Sequence, residues 1–80
     1  MFEKKENALY VMLQFSDFVE AFGFITQVAF VAEKLHHHPK IINVYNSVEL
    51  ILNTHDAGDT ITELDYTLAK EIEKLGHRKK

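Results

Sequence analysis

Histidine is the side chain with the most evident chemistry in this sequence. There are five histidines in 80 residues, and three of them, His36, His37 and His38, are consecutive. An imidazole has an ordinary pKa of about 6.5, so it can both donate and accept a proton near neutral pH. If the strand that ends at His55 returns beside this triplet, the imidazoles meet at one mouth. Such a mouth would suit proton transfer on a small molecule.

A carboxylate stands close to the triplet in the sequence. Glu33 precedes His37 by four residues, which places both on the same side of a helix. Its angular position lies within the apolar part of the predicted helix, where an unpaired carboxylate costs free energy. We therefore expect Glu33 to pair with His37 and to orient its imidazole for general acid–base catalysis.

Other interpretations of the histidines involve no catalysis. Adjacent helical residues point about 100° apart, so three consecutive histidines cannot all bind one metal ion. The spacing of four residues joins a glutamate to a histidine rather than two histidines, and we expect no metal site. Protonated histidines at the C-terminal end of a helix would also interact favourably with its dipole. That structural role stays open as an alternative.

Asp65 can also be interpreted as a residue with a purely structural role. It is the last residue of the segment Thr62-Glu63-Leu64-Asp65, whose spacing is typical of a capping box at the start of a helix. Capping does not exclude a second role in a site. The sequence has no arrangement typical of a serine or cysteine nucleophile, no glycine-rich phosphate loop and no cofactor motif, so we expect no cofactor.

Hydrophobic periodicity predicts the elements that must position these residues. Pro39 ends the first helix because it lacks an amide hydrogen. The predicted order is a short strand over residues 2–6, a strand over 8–15 with both faces partly covered, a helix over 17–37, strands over 41–45 and 48–55, and a last helix that ends at Gly76. The last helix has an inner stripe of Leu64, Leu68, Ile72 and Leu75. We therefore expect an α+β fold with the helices packed on one face of an antiparallel sheet.

The first helix is apolar around most of its circumference. The stripe that we expect to face the sheet consists of Phe18, Phe22, Ile25, Ala29 and Ala32. Further apolar residues flank it on both sides, namely Val19, Phe24, Val28, Phe30 and Val31. A chain of 80 residues cannot bury such a helix alone, so we expect it to pack against the same helix of another subunit. The alternative is a monomer with an apolar surface.

Composition limits the classes of function. The length predicts a single domain over residues 1–80, and a hydrophobic content of 46% without cysteine predicts a module stabilised by packing. The net charge of −3 disfavours direct nucleic-acid binding, and we expect the one basic cluster, residues 77–80, to be a solubilising terminus. The sequence has no apolar run of membrane-spanning length and no signal-peptide pattern, so we expect a cytoplasmic protein without a membrane partner.

Seven positions in order resemble the signature of the pterin-4a-carbinolamine dehydratases. They are Glu33, His37, His38, Pro39, Tyr45, His55 and Asp65. The segments FVEAFGF at residues 18–24 and TELD at 62–65 are also similar to that family, so the resemblance covers about residues 8–75. Two features depart from it. Family members usually begin with a further helix and a full first strand, and they commonly carry a tryptophan-led aromatic pair where this chain has Lys40-Ile41-Ile42.

The resemblance implies a four-stranded antiparallel sheet with helices on one face, assembled into homodimers or homotetramers. It also implies an activity, the elimination of water from 4a-hydroxytetrahydropterin to give quinonoid dihydropterin, without a metal or an organic cofactor. Some relatives are instead dimerisation cofactors of a transcription factor. A non-catalytic binding module of the same fold is therefore the alternative.

The resemblance further implies which residues form the site. His37, His38 and His55 would line the pterin site, with His37 and His55 transferring protons and His38 holding the substrate. Glu33 would orient His37, and Asp65 completes the catalytic set. The remaining substrate-binding positions are Pro39 and the loop residues Thr54, Asp56 and Ala57, whose backbone groups would bind the flat edge of the pterin.

Overall fold

The computed structural model describes residues 1–76. The elements are β1 (Glu3–Lys5), β2 (Ala8–Gln14), α1 (Phe18–Leu35), β3 (Lys40–Val44), β4 (Ser47–Leu52), a 3-10 turn (His55–Ala57) and α2 (Glu63–Glu73). The basic cluster at residues 77–80 lies outside the described residues. Within residues 1–76 no helix combines the length and apolar character needed to cross a membrane.

The four strands form one antiparallel sheet in the order β1-β2-β4-β3. Strands β1 and β2 form one hairpin and β3 and β4 form another. Each turn contains a residue with positive φ, Glu6 at 54° and Tyr45 at 51°. The second turn is tied to the end of β2, because Asn46 donates its side-chain amide to the carbonyl of Phe15 at 3.0 Å. The predicted α+β fold, a four-stranded antiparallel sheet with helices on one face, is confirmed.

The core lies between one face of the sheet and the two helices. The sheet contributes alternate residues of its strands to the core, since Leu9, Val11 and Leu13 of β2 point inward while Met12 and Gln14 are exposed. The other face of β2 is partly covered at Ala8 and Tyr10, as expected, and exposed at Met12 and Gln14. Within residues 1–76 the buried apolar residues are Leu9, Val11, Leu13, Phe15, Ala21, Phe24, Val28, Ala32, Val48, Leu50, Leu52, Leu68, Ala69 and Ile72.

Helix α1 has its start where the sequence predicts it. Asp17 is the N-cap, and its carboxylate accepts the N–H of Glu20 at 2.8 Å. The Glu20 carboxylate in turn accepts the N–H of Ser16 at 2.6 Å. These reciprocal hydrogen bonds satisfy two backbone donors at the helix entrance.

Most of the inner stripe predicted for α1 is wrong, since only Ala32 of it is buried and Ile25 is partly buried against the core. The buried residues of this helix are Ala21, Phe24, Val28 and Ala32. Phe18 and Phe22, which were expected to face the sheet, are about half exposed, with their rings 5.7 Å apart. Two apolar stripes compete on this helix, so its periodicity alone could not decide which one faces the sheet.

Helix α2 begins with the predicted capping box, and its predicted inner stripe is confirmed except in the first turn. Leu68 and Ile72 are fully buried as expected, whereas Leu64 is about half exposed and Asp65 is fully buried in its place. The capping hydrogen bonds explain this difference, because they hold the Asp65 side chain against the helix entrance. The helical run ends at Glu73 rather than at Gly76, which has a φ of 77° just beyond it.

Candidate active site

The end of helix α1 determines where the histidine triplet points. His36 adopts the left-handed conformation at φ 54°, and its N–H donates to the carbonyl of Glu33 at 3.1 Å. The N–H of His37 donates to the carbonyl of Ala32 at 3.0 Å. This pair of hydrogen bonds is the Schellman pattern that ends many helices. The helix was predicted to end within the histidine run, at residue 37, but its last residue is Leu35 and His36 is its C-cap, so His37 no longer follows the helical path.

His37 is paired with a buried carboxylate of the other helix. Its Nε2 lies 2.6 Å from Oδ1 of Asp65, whose side chain is 0% exposed, while that of His37 is 11% exposed. The second carboxylate oxygen accepts two further hydrogen bonds at 2.8 Å, from the hydroxyl of Thr54 and from the N–H of Thr62. Asp65 therefore caps α2 and also joins α1 to the loop after β4.

The predicted pair between Glu33 and His37 is wrong. Oε1 of Glu33 instead lies 2.9 Å from Nε2 of His38, and both side chains are largely exposed. The hydrogen bond from His38 is the main cause that lowers the pKa of the Glu33 carboxyl. The rule that residues four apart share a helix face fails here because the left-handed His36 lies between the two residues.

His55 lies in a loop that closes on itself. Strand β4 ends at Leu52, before the predicted end at His55, and Thr54 donates its N–H to the carbonyl of Thr60 at 2.8 Å. Nδ1 of His55 lies 2.9 Å from Oδ1 of Asp59. The hydrogen bond to Asp59, followed by the negative charges of Asp59 and Asp56, raises the pKa of His55 above its ordinary value.

An open cavity of about 290 Å³ lies between the triplet and this loop. Its lining residues are His36, His37, His38, Asn53, Thr54, His55, Asp56 and Leu64. The structure thus brings together five of the predicted site residues, namely His37, His38, Thr54, His55 and Asp56. Of the others, Asp65 lies behind His37, while Glu33, Pro39 and Ala57 are not among the described lining residues.

Two lining residues were missed in the sequence, since Asn53 was assigned to a strand and Leu64 to the core. A third, His36, was expected at the mouth as part of the triplet but was given no role in the site. The capping box held a signal for Leu64, because it places this residue in the first turn of α2 beside Asp65. Tyr45, part of the family-like signature, lies in the β3–β4 turn and is not among the described lining residues.

All three histidines of the predicted site share one arrangement. One ring nitrogen faces a carboxylate, which is Nε2 in His37 and His38 and Nδ1 in His55. An ionised carboxylate only accepts, so that ring nitrogen must be the donor. The other nitrogen then carries a lone pair in the neutral imidazole and a proton in the imidazolium. Each histidine is therefore prepared to act as a base or as an acid.

Residues 1–76 contain no group of three or more histidine, aspartate or glutamate side chains arranged to hold a metal ion. Each carboxylate holds one ring nitrogen of its own histidine, and the three pairs are separate from one another.

Two solved structures share this fold. A crystal structure described as a transcriptional coactivator/pterin dehydratase from Brucella melitensis has a TM-score of 0.87 and 38% identity, with 95% of this chain and 82% of that chain covered. A pterin dehydratase-like protein described as a RuBisCO assembly factor of the alpha-carboxysome has a TM-score of 0.72, with 94% and 86% covered. At 20% identity, this second likeness concerns the fold alone.

Curated proteins of the same family name are similar to this chain in sequence. A protein of Rhizobium johnstonii, provisionally named pterin-4-alpha-carbinolamine dehydratase, is 60% identical over 65 residues, which are 81% of this chain and 63% of the relative. A relative of the same provisional name from Prochlorococcus marinus is 47% identical over 73 residues, 91% of this chain and 75% of its own length. The matched region thus spans less than two thirds of the first of these relatives. The family model for pterin 4 alpha carbinolamine dehydratase matches residues 2–75. With that match and these identities, the chain belongs to the pterin-4-alpha-carbinolamine dehydratase family.

Proposed function

We propose that this protein eliminates water from 4a-hydroxytetrahydrobiopterin to give quinonoid dihydrobiopterin, in the recycling of tetrahydrobiopterin. The observation that carries the proposal is that His37 and His55 line the same cavity, each with one ring nitrogen held by a carboxylate. Membership of the family supports the reaction type. The cavity's chemistry is that of proton transfer, and the proposal includes no metal or organic cofactor.

The reaction needs one proton donor and one proton acceptor. An imidazolium donates a proton to the hydroxyl on C4a, the C–O bond breaks, and water leaves. A neutral imidazole takes the proton of the adjacent ring nitrogen, and the electron pair of that N–H bond forms the new C=N bond. His37 and His55 are our candidates for these two roles, because each presents one ring nitrogen with no partner among the described residues.

The remaining predicted residues are assigned to substrate binding. His38 lines the cavity with its Nε2 engaged by Glu33, so Glu33 orients His38 rather than His37 in this proposal. The N–H groups of Thr54 and Ala57 already donate within the loop. We therefore assign the edge of the pterin to the carbonyls of this loop and to the N–H of Asp56, with Pro39 beside His38.

A kinetic assay with single variants tests the activity. The loss of chemically generated 4a-hydroxytetrahydropterin is followed with the wild type, His37→Gln and His55→Gln. We expect the wild type to exceed the spontaneous rate and each variant to lose about 100-fold in kcat, since a general acid or base contributes about 10²- to 10⁴-fold. Glu71→Gln is the control, because it removes an exposed carboxylate that is paired with Lys74 outside the cavity.

Two outcomes of this assay would contradict the proposal. A wild-type rate equal to the spontaneous rate would exclude the dehydratase activity and favour the alternative, a non-catalytic binding module. The coactivator part of the description of the Brucella melitensis structure supports that alternative. Unchanged rates in both histidine variants, with an active wild type, would leave the activity and remove the residue assignments.

We also propose that the protein is a homodimer or homotetramer that packs through the outer face of α1. Phe18, Val19, Phe22 and Phe30 are exposed on this helix. Exposed apolar side chains in such number on one helix of a small domain favour burial against another chain.

Light scattering after size-exclusion chromatography measures the oligomeric mass. We expect a multiple of the chain mass for the wild type and a monomer for the double variant Phe22→Glu/Phe30→Glu, because two buried charges would oppose the contact. Tyr66→Glu, an exposed aromatic residue of α2, is the control and should keep the wild-type mass. A monomeric wild type would contradict the proposal.

A further inference from the structure

We propose that Asp59 is a positioning residue for His55: its carboxylate holds Nδ1 of the imidazole and leaves Nε2 as the nitrogen that exchanges protons with the substrate. The inference rests on the proposed function, and it adds a residue that is absent from the seven-position signature. Oδ1 of Asp59 lies 2.9 Å from Nδ1 of His55, which is hydrogen-bond distance.

The backbone of the loop brings Asp59 back toward His55. The 3-10 turn His55–Ala57 is followed by two residues in the left-handed conformation, Gly58 at φ 83° and Asp59 at φ 55°. The N–H groups of both residues donate to the carbonyl of His55, at 3.0 and 3.4 Å. The chain therefore curls around His55, and the Asp59 side chain reaches its ring.

The base of the loop is anchored to the buried part of the site. The N–H of Thr54 donates to the carbonyl of Thr60 at 2.8 Å, and this bond closes the loop just outside His55 and Asp59. The hydroxyl of Thr54 donates to Asp65, the partner of His37. The hydrogen bonds of Thr54 thus connect the base of this loop to the carboxylate that holds His37.

Asp59 also determines which form of the imidazole is present. Because an ionised carboxylate only accepts hydrogen bonds, Nδ1 carries the hydrogen, and the neutral ring presents a lone pair at Nε2. Without this carboxylate, both tautomers would be populated and the exposed ring would rotate freely. The Asp59 carboxylate thus increases the fraction of neutral His55 side chains that present a lone pair at Nε2.

Several titratable groups surround His55. They are Asp56 and Asp59 in its own loop and His36, His37 and His38 across the cavity. The two carboxylates favour the imidazolium, and the histidines across the cavity oppose it when protonated. Removal of the Asp59 charge should therefore shift the titration of His55 to lower pH.

The test compares Asp59→Gly with Asp59→Asn in the intact chain. Glycine and asparagine both tolerate the positive φ of this position, so neither variant should strain the loop. Glycine removes the carboxylate entirely, while asparagine keeps an oxygen that can accept from Nδ1 but loses the charge. Glu71→Gln is again the control for loss of an exposed carboxylate elsewhere.

Kinetics and NMR provide independent readouts. In Asp59→Gly we expect kcat to fall about fivefold with KM nearly unchanged, and the His55 limb of the pH–rate profile to move to lower pH. Long-range ¹H–¹⁵N correlation spectra should show the hydrogen of neutral His55 on Nδ1 in the wild type and in Asp59→Asn, but a mixture of tautomers in Asp59→Gly. The Asn variant should recover most of kcat while its His55 titration stays shifted to lower pH.

The two proposals fail in different ways. An active wild type whose kcat, pH profile and His55 tautomer are all unchanged in Asp59→Gly would overturn the role of Asp59. A wild type without activity would remove the proposed dehydration, and with it the role of Asp59 in that reaction. The NMR spectra would then still decide whether Asp59 holds the imidazole.

Discussion

Two imidazole–carboxylate pairs stand at the same cavity and differ in almost every physical respect. The pair of His37 and Asp65 joins residues 28 apart in sequence and is buried, with an N–O distance of 2.6 Å. The pair of His55 and Asp59 joins residues four apart, at 2.9 Å, and its side chains are 88% and 63% exposed. The first pair is a product of the whole fold, and the second is a product of one loop.

The buried pair contributes to the stability of the fold, whereas the exposed pair can affect the chemistry of its histidine without affecting the fold. A buried carboxylate must keep its partners, because an unpaired charge in the interior is far more costly than one at the surface. Asp65 has three partners, His37, Thr54 and Thr62, each from a different segment, so the fold and one half of the site depend on each other. The loop pair is surrounded by water and can change without unfolding the chain.

The largest expected effect in this comparison is on the buried pair. Asp65→Ala removes the capping oxygen and the partner of His37, and we expect a loss of about 3 kcal/mol in the free energy of unfolding. Urea denaturation followed by circular dichroism measures it. Asp59→Gly is the matched control, with a denaturation midpoint close to that of the wild type. Equal midpoints for Asp65→Ala and the wild type would show that the buried pair contributes no stability.

An effect of intermediate size is expected for Asp59→Gly and Asp59→Asn. They should leave the fold intact and change kcat and the titration of His55, because the exposed loop pair acts on the imidazole alone. A large loss of stability in Asp59→Asn would remove the contrast between the two pairs.

The smallest effect is expected for the third pair, that of Glu33 and His38. Both side chains are exposed, and Glu33 is not among the described residues that line the cavity. We expect Glu33→Gln to change kcat by less than about twofold, since an exposed pair contributes little. The kinetic assay above measures it, with His38→Gln in parallel to test substrate binding through KM. A kcat loss in Glu33→Gln as large as that of His37→Gln would restore Glu33 to the catalytic set.

Much of the fold could be predicted because each element has a local signal. Pro39 and the triplet mark the end of α1, Asp17 marks its start, and the Thr62-to-Asp65 spacing marks the start of α2. The inner face of α1 could not be predicted in the same way. Phe22 and Phe24 are equally apolar, and only packing against the sheet decides that Phe24 is buried and Phe22 is exposed.

The sequence by itself determined the strands and helices, the family, and the set of histidines and carboxylates from which the site is built. Only the tertiary structure decided which carboxylate holds which histidine. The spacing of Glu33 and His37 predicts a pair inside a continuous helix, but His36 ends that helix in the left-handed conformation and turns His37 toward Asp65. A rule based on sequence spacing cannot predict this partner, because Asp65 belongs to another helix. It approaches His37 only when the two helices pack against the same sheet.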